Sequence, residues 1–278
     1  MIKIFLQKIV AFSSLIILMT GVVLTLNYII VKSAKFSFGK DKEILILGDS
    51  NSKCAINDSI LNNSVNLSGS ADSYFYSYLK LNKITEDNES FKTVFLSFSP
   101  HNIIDNGWVF NNEDISFLFK GKRDIFLSSI GRVFRELPNI VQNKIKGSFL
   151  SNYGGFEFVD SNNLNLVLAK LAKGEPIPHF NLPNNFKISL QEILYLKKIL
   201  ILCKNKNLNL ILVNPPKRNE LLIHNRYFVN EFNHFYDSEL KDVPYLDFSN
   251  VIMPDEYYED LVHLNYKGAA YFSNLLKN

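Results

Sequence analysis

Two short blocks at opposite ends of the 278-residue chain carry residue types used in acyl transfer. The first is Gly48-Asp49-Ser50-Asn51-Ser52, directly after the apolar run EILILG (43 to 48). A serine on a tight strand-to-helix turn presents its Oγ at the edge of a sheet, and its backbone N–H is placed to help bind an oxyanion. The second is Asp260-Leu261-Val262-His263-Leu264-Asn265, just before the apolar-periodic segment GAAYFSNLL (268 to 276). Aspartate and histidine three apart share one side of a turn. The carboxylate there can accept from the ring Nδ1–H, fixing the tautomer and stabilising the imidazolium, while Nε2 is left to deprotonate a hydroxyl. Each block alone has a plainer use: glycine, aspartate and serine dominate turns and helix N-caps, and an isolated DxxH serves a cap beside a satisfied polar histidine.

The elements that would position these blocks are legible between them. EILILG is a short continuous apolar run ended by glycine, the pattern of a strand buried on both faces in a parallel sheet. Further strands are expected at VNLS (65 to 68), TVFLSFS (93 to 99), LNLILVN (208 to 214) and PYLDFS (244 to 249). DSYFYSYLKLNKI (72 to 84) and LQEILYLKKILILCKN (190 to 205) repeat apolar residues at three and four, as helices packed on a sheet do. The alternation predicts a doubly wound α/β fold. Residues 103–188 break the rhythm with Trp108, Phe110, Phe117 and Phe119, Gly154-Gly155, and prolines at 176, 178 and 183. This stretch reads as an insertion after the third strand. It forms either a cap over the crevice at the strands' carboxyl ends or an extra helical layer that enlarges the core.

Residues 9–31 carry neither charge nor proline, and as a helix would extend roughly 34 Å, enough to cross the hydrocarbon core. No small-residue cleavage site precedes Lys32, so an uncleaved anchor is expected over 1–35, with one domain over 36–278. Lys3 and Lys8 precede the span while Lys32, Lys35, Lys40 and Lys42 follow it. That count alone would keep the domain cytoplasmic, a weak rule for large domains. A net charge of +3 without a basic stripe gives no support to nucleic-acid binding. Cys54 and Cys203 lie in no metal-ligand spacing and read as small buried hydrophobes. His179, His224 and His234 show neither HxH nor HExxH spacing, so no metal is implied. Without a GxGxxG or Walker loop, no nucleotide cofactor is implied either.

The combination of GDSN (48 to 51) after the first strand with DLVHLN (260 to 265) before the last helix resembles the SGNH (GDSL-like) hydrolase family over everything after the anchor. The resemblance implies a flavodoxin-like three-layer sandwich with a five-stranded parallel sheet. It also implies Ser50 as nucleophile, His263 as general base and Asp260 as the residue that orients it. The family's oxyanion hole draws on the nucleophile's N–H, on a glycine after the second strand, here Gly69, and on an asparagine after the third. In that last block the chain reads Ser99-Pro100-His101-Asn102, a shifted register in which Asn102 is the preferred donor, His101 the alternative through a ring N–H, and a purely structural loop role for both the third reading. Single-span proteins similar to this one are associated with bacterial cell-surface polysaccharide. The resemblance therefore implies an esterase or O-acyltransferase acting on acetyl esters of an envelope glycan. The domain would then be extracytoplasmic at the inner or plasma membrane, in reach of a membrane-bound acyl-donor partner. A catalytically silent glycan-binding module and a lipid esterase at the membrane surface are the alternatives.

Overall fold

The structure, a computed structural model, describes residues 2–33, 37–104, 154–175, 187–224 and 226–277. Short runs of aliphatic and aromatic residues form the sheet: β1 (Ile44–Leu47), β2 (Ser64–Asn66), β3 (Thr93–Ser97), β4 (Asn209–Asn214) and β5 (Tyr245–Asp247). All pair in parallel, in the order β2-β1-β3-β4-β5. The expected fold class is the one observed, with each strand inside or one residue from its expected run. β1 and β3 lie inside the sheet with both faces covered, which is why they read as unbroken apolar runs. Their register pairs Leu47 with Leu96, so the two strands end side by side. From β1 the chain turns to one side of the sheet and from β3 to the other. The crevice beyond their carboxyl ends is thus the switch point where ligands bind in open α/β sheets.

Helices cover both faces. Next to β1 comes α2 (Ser50–Ala55), followed by α3 (Tyr74–Asp87), α4 (Leu164–Ala172), α5 (Leu190–Asn205), α6 (Asn219–His224), α7 (Arg226–Glu239) and α8 (Tyr266–Leu275). α3 and α5 pack together through Phe75 and Tyr195, whose ring centroids are 5.0 Å apart. The Glu192 carboxylate at the start of α5 accepts from the Tyr74 N–H at the start of α3 (2.8 Å). A second core joins Ile46, Ile56, Phe95 and Val213 to Tyr258, Leu261, Leu264 and Phe272. Each of these large apolar side chains contributes about 2 kcal/mol by leaving water, and together they fix the 258–264 loop against the sheet. Cys54 and Cys203 are buried and unpaired, as expected of small hydrophobes, and burial pushes both thiols up to about 12.

Part of the insertion belongs to this core. Leu164 of α4 is fully buried in the cluster with Tyr258, Leu261 and Leu264, and the Asn163 N–H donates to the Glu259 carbonyl (2.8 Å). α4 thus packs against the core through its first residue. The expected cap over 105–153 and 176–186, with Trp108, Phe110, Phe117, Phe119 and His179, lies outside the described residues. The N-terminal segment is one helix, α1 (Ile2–Ser33), and contains the expected 9–31 span. Its residues Ile2–Val22 are long and apolar enough to cross a membrane. α1 belongs to a compact unit distinct from the one, Phe36–Val109 with Tyr153–Asn278, that holds the sheet.

Candidate active site

The turn after β1 is set by two residues. Gly48 adopts φ +152°, and a Cβ there would fall 2.2 Å from the Ser97 Cβ, so only glycine lets the chain turn against β3. Asp49 follows as the N-cap of α2, its Oδ1 accepting from the Asn51 N–H at 3.0 Å. Ser50 is consequently the first helical residue, one whose N–H has no acceptor within the helix.

The partners arrive on a closed loop before α8. Tyr258 bridges to Leu264, the Glu259 N–H donates to the His263 carbonyl (2.9 Å), and Asn265 caps α8 by accepting from the N–H groups of Lys267 and Gly268 (3.0 and 3.3 Å). Tyr258, Leu261 and Leu264 point into the core, leaving Asp260 and His263 on the crevice side. Because Asn265 is the cap, Asp260 is not needed for it. Asp260 Oδ1 accepts from the Val262 and His263 N–H groups (2.7 and 2.8 Å), while Oδ2 lies 2.9 Å from His263 Nδ1. His263 Nε2 lies 2.9 Å from Ser50 Oγ. Three residues expected to work together are thus in one hydrogen-bonded line across 213 positions of sequence.

Charge follows the geometry. Burial alone would lower the His263 imidazole, but the hydrogen bond and charge of Asp260, with Asp49 and Glu259 further off, outweigh it and hold the ring above its ordinary value. Burial would raise the Asp260 carboxyl, yet the His263 ring and the two backbone N–H groups keep it below the usual range. The arrangement can activate a hydroxyl: the carboxylate favours the imidazole tautomer that leaves Nε2 to accept, and itself stays ionised.

No curated protein matches the sequence. One protein-family profile matches residues 180–278, the stretch that carries β4, β5 and the Asp260–His263 loop. Among solved structures, the chain is similar to a GDSL-like lipase from Bacteroides thetaiotaomicron, with 10% identity and a TM-score of 0.39 over 89% of this chain and 91% of that one. It is also similar to a lipase from a goat rumen metagenome, with 10% identity and a TM-score of 0.35 over 85% and 96% of the two chains. At such distances the functional reading rests on the geometry of the site itself.

The oxyanion donors divide three ways. The expectation for Gly69 is not met, because its N–H donates to the Gly48 carbonyl (3.0 Å), prolonging the pairing of β2 with β1 beyond the strand ends. Gly69 answers to space instead: a Cβ would lie 2.6 Å from the Asp72 carboxylate, which pairs with Lys80 in a buried bridge at 2.5 Å. His101 has both ring nitrogens engaged, Nε2 2.5 Å from Asp49 Oδ2 and Nδ1 3.2 Å from Ser99 Oγ, so it offers no spare N–H. Asn102 lies in the same cluster. Its Oδ1 accepts from the Ser99 N–H and hydroxyl (2.8 and 2.9 Å), and its Nδ2 donates one hydrogen to Asp49 Oδ2 (2.8 Å), with only a long approach to His101 Nε2 (3.5 Å) near the second amide hydrogen.

Asp49 is the hub that the sequence did not reveal. Beyond capping α2 it accepts from Ser97 Oγ (3.1 Å), His101 and Asn102, tying the turn that carries Ser50 to the loop after β3. Burial would raise its carboxyl, but the His101 charge, the hydrogen bonds from His101 and Asn102, and Lys217 hold it far below the usual range. Lys217, just past β4, is itself buried. Burial draws its ammonium down to about 8 against the pull of Asp49 and Asp247, and its Nζ donates to Asn214 Oδ1 (2.9 Å). The aspartate stands in the GDSN block in plain view, but its partners become visible only once β3 is known to lie beside β1. His234 is exposed on α7, and His224 ends α6.

Proposed function

We propose that the chain is a serine-dependent acyl-ester hydrolase or O-acyltransferase of the SGNH (GDSL-like) type, acting on acetyl esters of a cell-envelope glycan. The observation that carries this reading is the line Ser50 Oγ–His263 Nε2–Nδ1–Asp260 Oδ2, with 2.9 Å at both links. In the proposed mechanism His263 Nε2 takes the Ser50 hydroxyl proton as Oγ attacks the ester carbonyl. The tetrahedral oxyanion is met by the Ser50 N–H at the start of α2 and the remaining Asn102 amide hydrogen. Collapse expels the alcohol, protonated by the His263 imidazolium, and leaves acyl-Ser50. Water then completes hydrolysis, whereas a sugar hydroxyl completes transfer. Asp260 orients the ring throughout and stays ionised. The membrane-spanning length of α1 supports anchorage in a membrane; the inner or plasma membrane, the extracytoplasmic side and a membrane-bound donor of acyl groups as partner follow from the resemblance to single-span envelope proteins.

Mass spectrometry of the protein mixed with an acetyl-ester donor tests this. An acetyl mass on the peptide containing Ser50, shortened in lifetime by an acetylated-glycan acceptor, is the expected result; a folded protein that never acquires the mass contradicts it. One observation favours a second reading, a catalytically silent glycan-binding module: Gly69, whose N–H is already engaged, leaves the hole with two donors. One lost donor costs about 3 kcal/mol of transition-state stabilisation. In that case sugar binding survives both Ser50→Ala and His263→Ala, and no acyl-Ser50 forms.

A further inference from the structure

We propose that the Phe158 ring, stacked on Tyr266, is a sugar-binding platform at the rim of the Ser50 site, taking a pyranose ring of the acylated glycan. The proposal rests on the reading of Ser50 as the nucleophile of a glycan-ester enzyme. Residues 154–160 form a strap pinned at three places. Gly154 presses on the Leu67 and Ser68 carbonyls, where a Cβ would lie 2.4 Å from each oxygen, and the Gly155 N–H donates to Ser68 O (3.0 Å). Next, the Glu157 N–H donates to Lys53 O in α2 (3.0 Å), and Val159 O accepts from the Tyr266 N–H at the start of α8 (2.8 Å). The strap therefore links the loop after β2, the helix that begins with Ser50, and the helix that begins three residues after His263. Phe158 sits between the second and third pins.

Phe158 is 65% exposed although its backbone is fixed on both sides. Its ring lies on Tyr266 with centroids 4.9 Å apart and planes 24° from parallel, so one face is covered and the other is open to solvent. Holding the ring this way lowers the entropy a ligand must remove on binding. The preceding strap residue is held as well: Glu157 Oε2 pairs with Lys53 Nζ (2.8 Å), which also donates to Ser70 Oγ (3.2 Å). A flat, fixed and exposed aromatic face matches the apolar C–H face of a pyranose, whose hydroxyls stay at the rim in contact with water. A fatty acyl chain needs an enclosed apolar channel, which an open, exposed ring does not supply. One helical turn from Ser50 to Lys53, one hydrogen bond and one strap residue put the Phe158 Cα within about 15 Å of the Ser50 Cα, a few sugar units along the chain.

The test titrates the full chain in detergent micelles, carrying Ser50→Ala so that esters are not turned over, with O-acetylated xylo-oligosaccharides and O-acetylated chito-oligosaccharides. At least one probe is expected to bind. Adding Phe158→Ala weakens that binding about tenfold, on the scale of one stacking contact, and Phe158→Tyr in its place restores it. Binding that is indifferent to Phe158→Ala, or binding of neither probe, overturns the platform. A folded wild-type chain inert toward p-nitrophenyl acetate overturns the nucleophile reading instead, and the titration decides the platform independently of it.

Discussion

Asp260 grips His263 at two points, the backbone N–H through Oδ1 and the ring Nδ1 through Oδ2, and the consequences of removing the carboxylate follow from both. Asp260→Asn keeps the shape but reverses the donor at the ring, favouring the tautomer that presents Nε2–H to Ser50. In a serine-protease triad the same change lowers kcat about 10⁴-fold, and a loss of that order is expected with p-nitrophenyl acetate while the far-ultraviolet circular dichroism stays unchanged. The pH profile gives a second handle. In the proposed role of base His263 acts only when neutral, and its value is raised, so the acid limb of kcat/KM is expected above 6.5 in the wild type and at lower pH in Asp260→Asn. Stability has its own sign. The raised His263 stabilises fully below 6.5 and loses that contribution as pH rises through its folded value, while the lowered Asp260 stabilises above 3.8 and loses it as pH falls. Thermal melts should place this pair's largest contribution between those two values, and a contribution growing steadily above 6.5 would contradict the pairing.

At the scale of elements, the strap from Gly154 is where backbone conformation and site meet. Gly154→Ala adds a Cβ against two backbone carbonyl oxygens at φ +96°, a change expected to cost about 1 to 3 kcal/mol and to be seen as a lowered urea midpoint. The strands and the paired helices α3 and α5 could be read from the sequence because period and turn chemistry are local. Ser50, Asp260 and His263 could be picked out only through the pairing of their two blocks and the family it resembles, since each block alone reads as a turn or a cap. The oxyanion side could not. Whether Gly69 offers its N–H depends on how far β2 stays paired with β1. Whether His101 or Asn102 is free depends on Asp49, a residue 52 positions from His101 that meets it only because β1 and β3 end together. Tertiary hydrogen bonding, which no spacing rule encodes, decides both.

For the whole molecule, α1 and the sheet domain make separable claims. If α1 is an uncleaved anchor, the full chain sediments with membranes, resists carbonate extraction and retains Met1–Ser33 in its intact mass, whereas a chain beginning near Phe36 remains in the soluble fraction. A mature protein lacking those residues would show α1 to be a removed signal. The domain's chemistry is independent of that outcome, because every group in the proposed mechanism lies in the unit that holds the sheet. The most direct measurement of that chemistry is labelling by a fluorophosphonate probe, which reacts with a serine only when a base and an oxyanion site activate it. The account predicts a single adduct on the peptide containing Ser50, lost in Ser50→Ala and strongly slowed in His263→Ala. A folded wild-type protein that takes up no probe, or takes it up equally after Ser50→Ala, would contradict it.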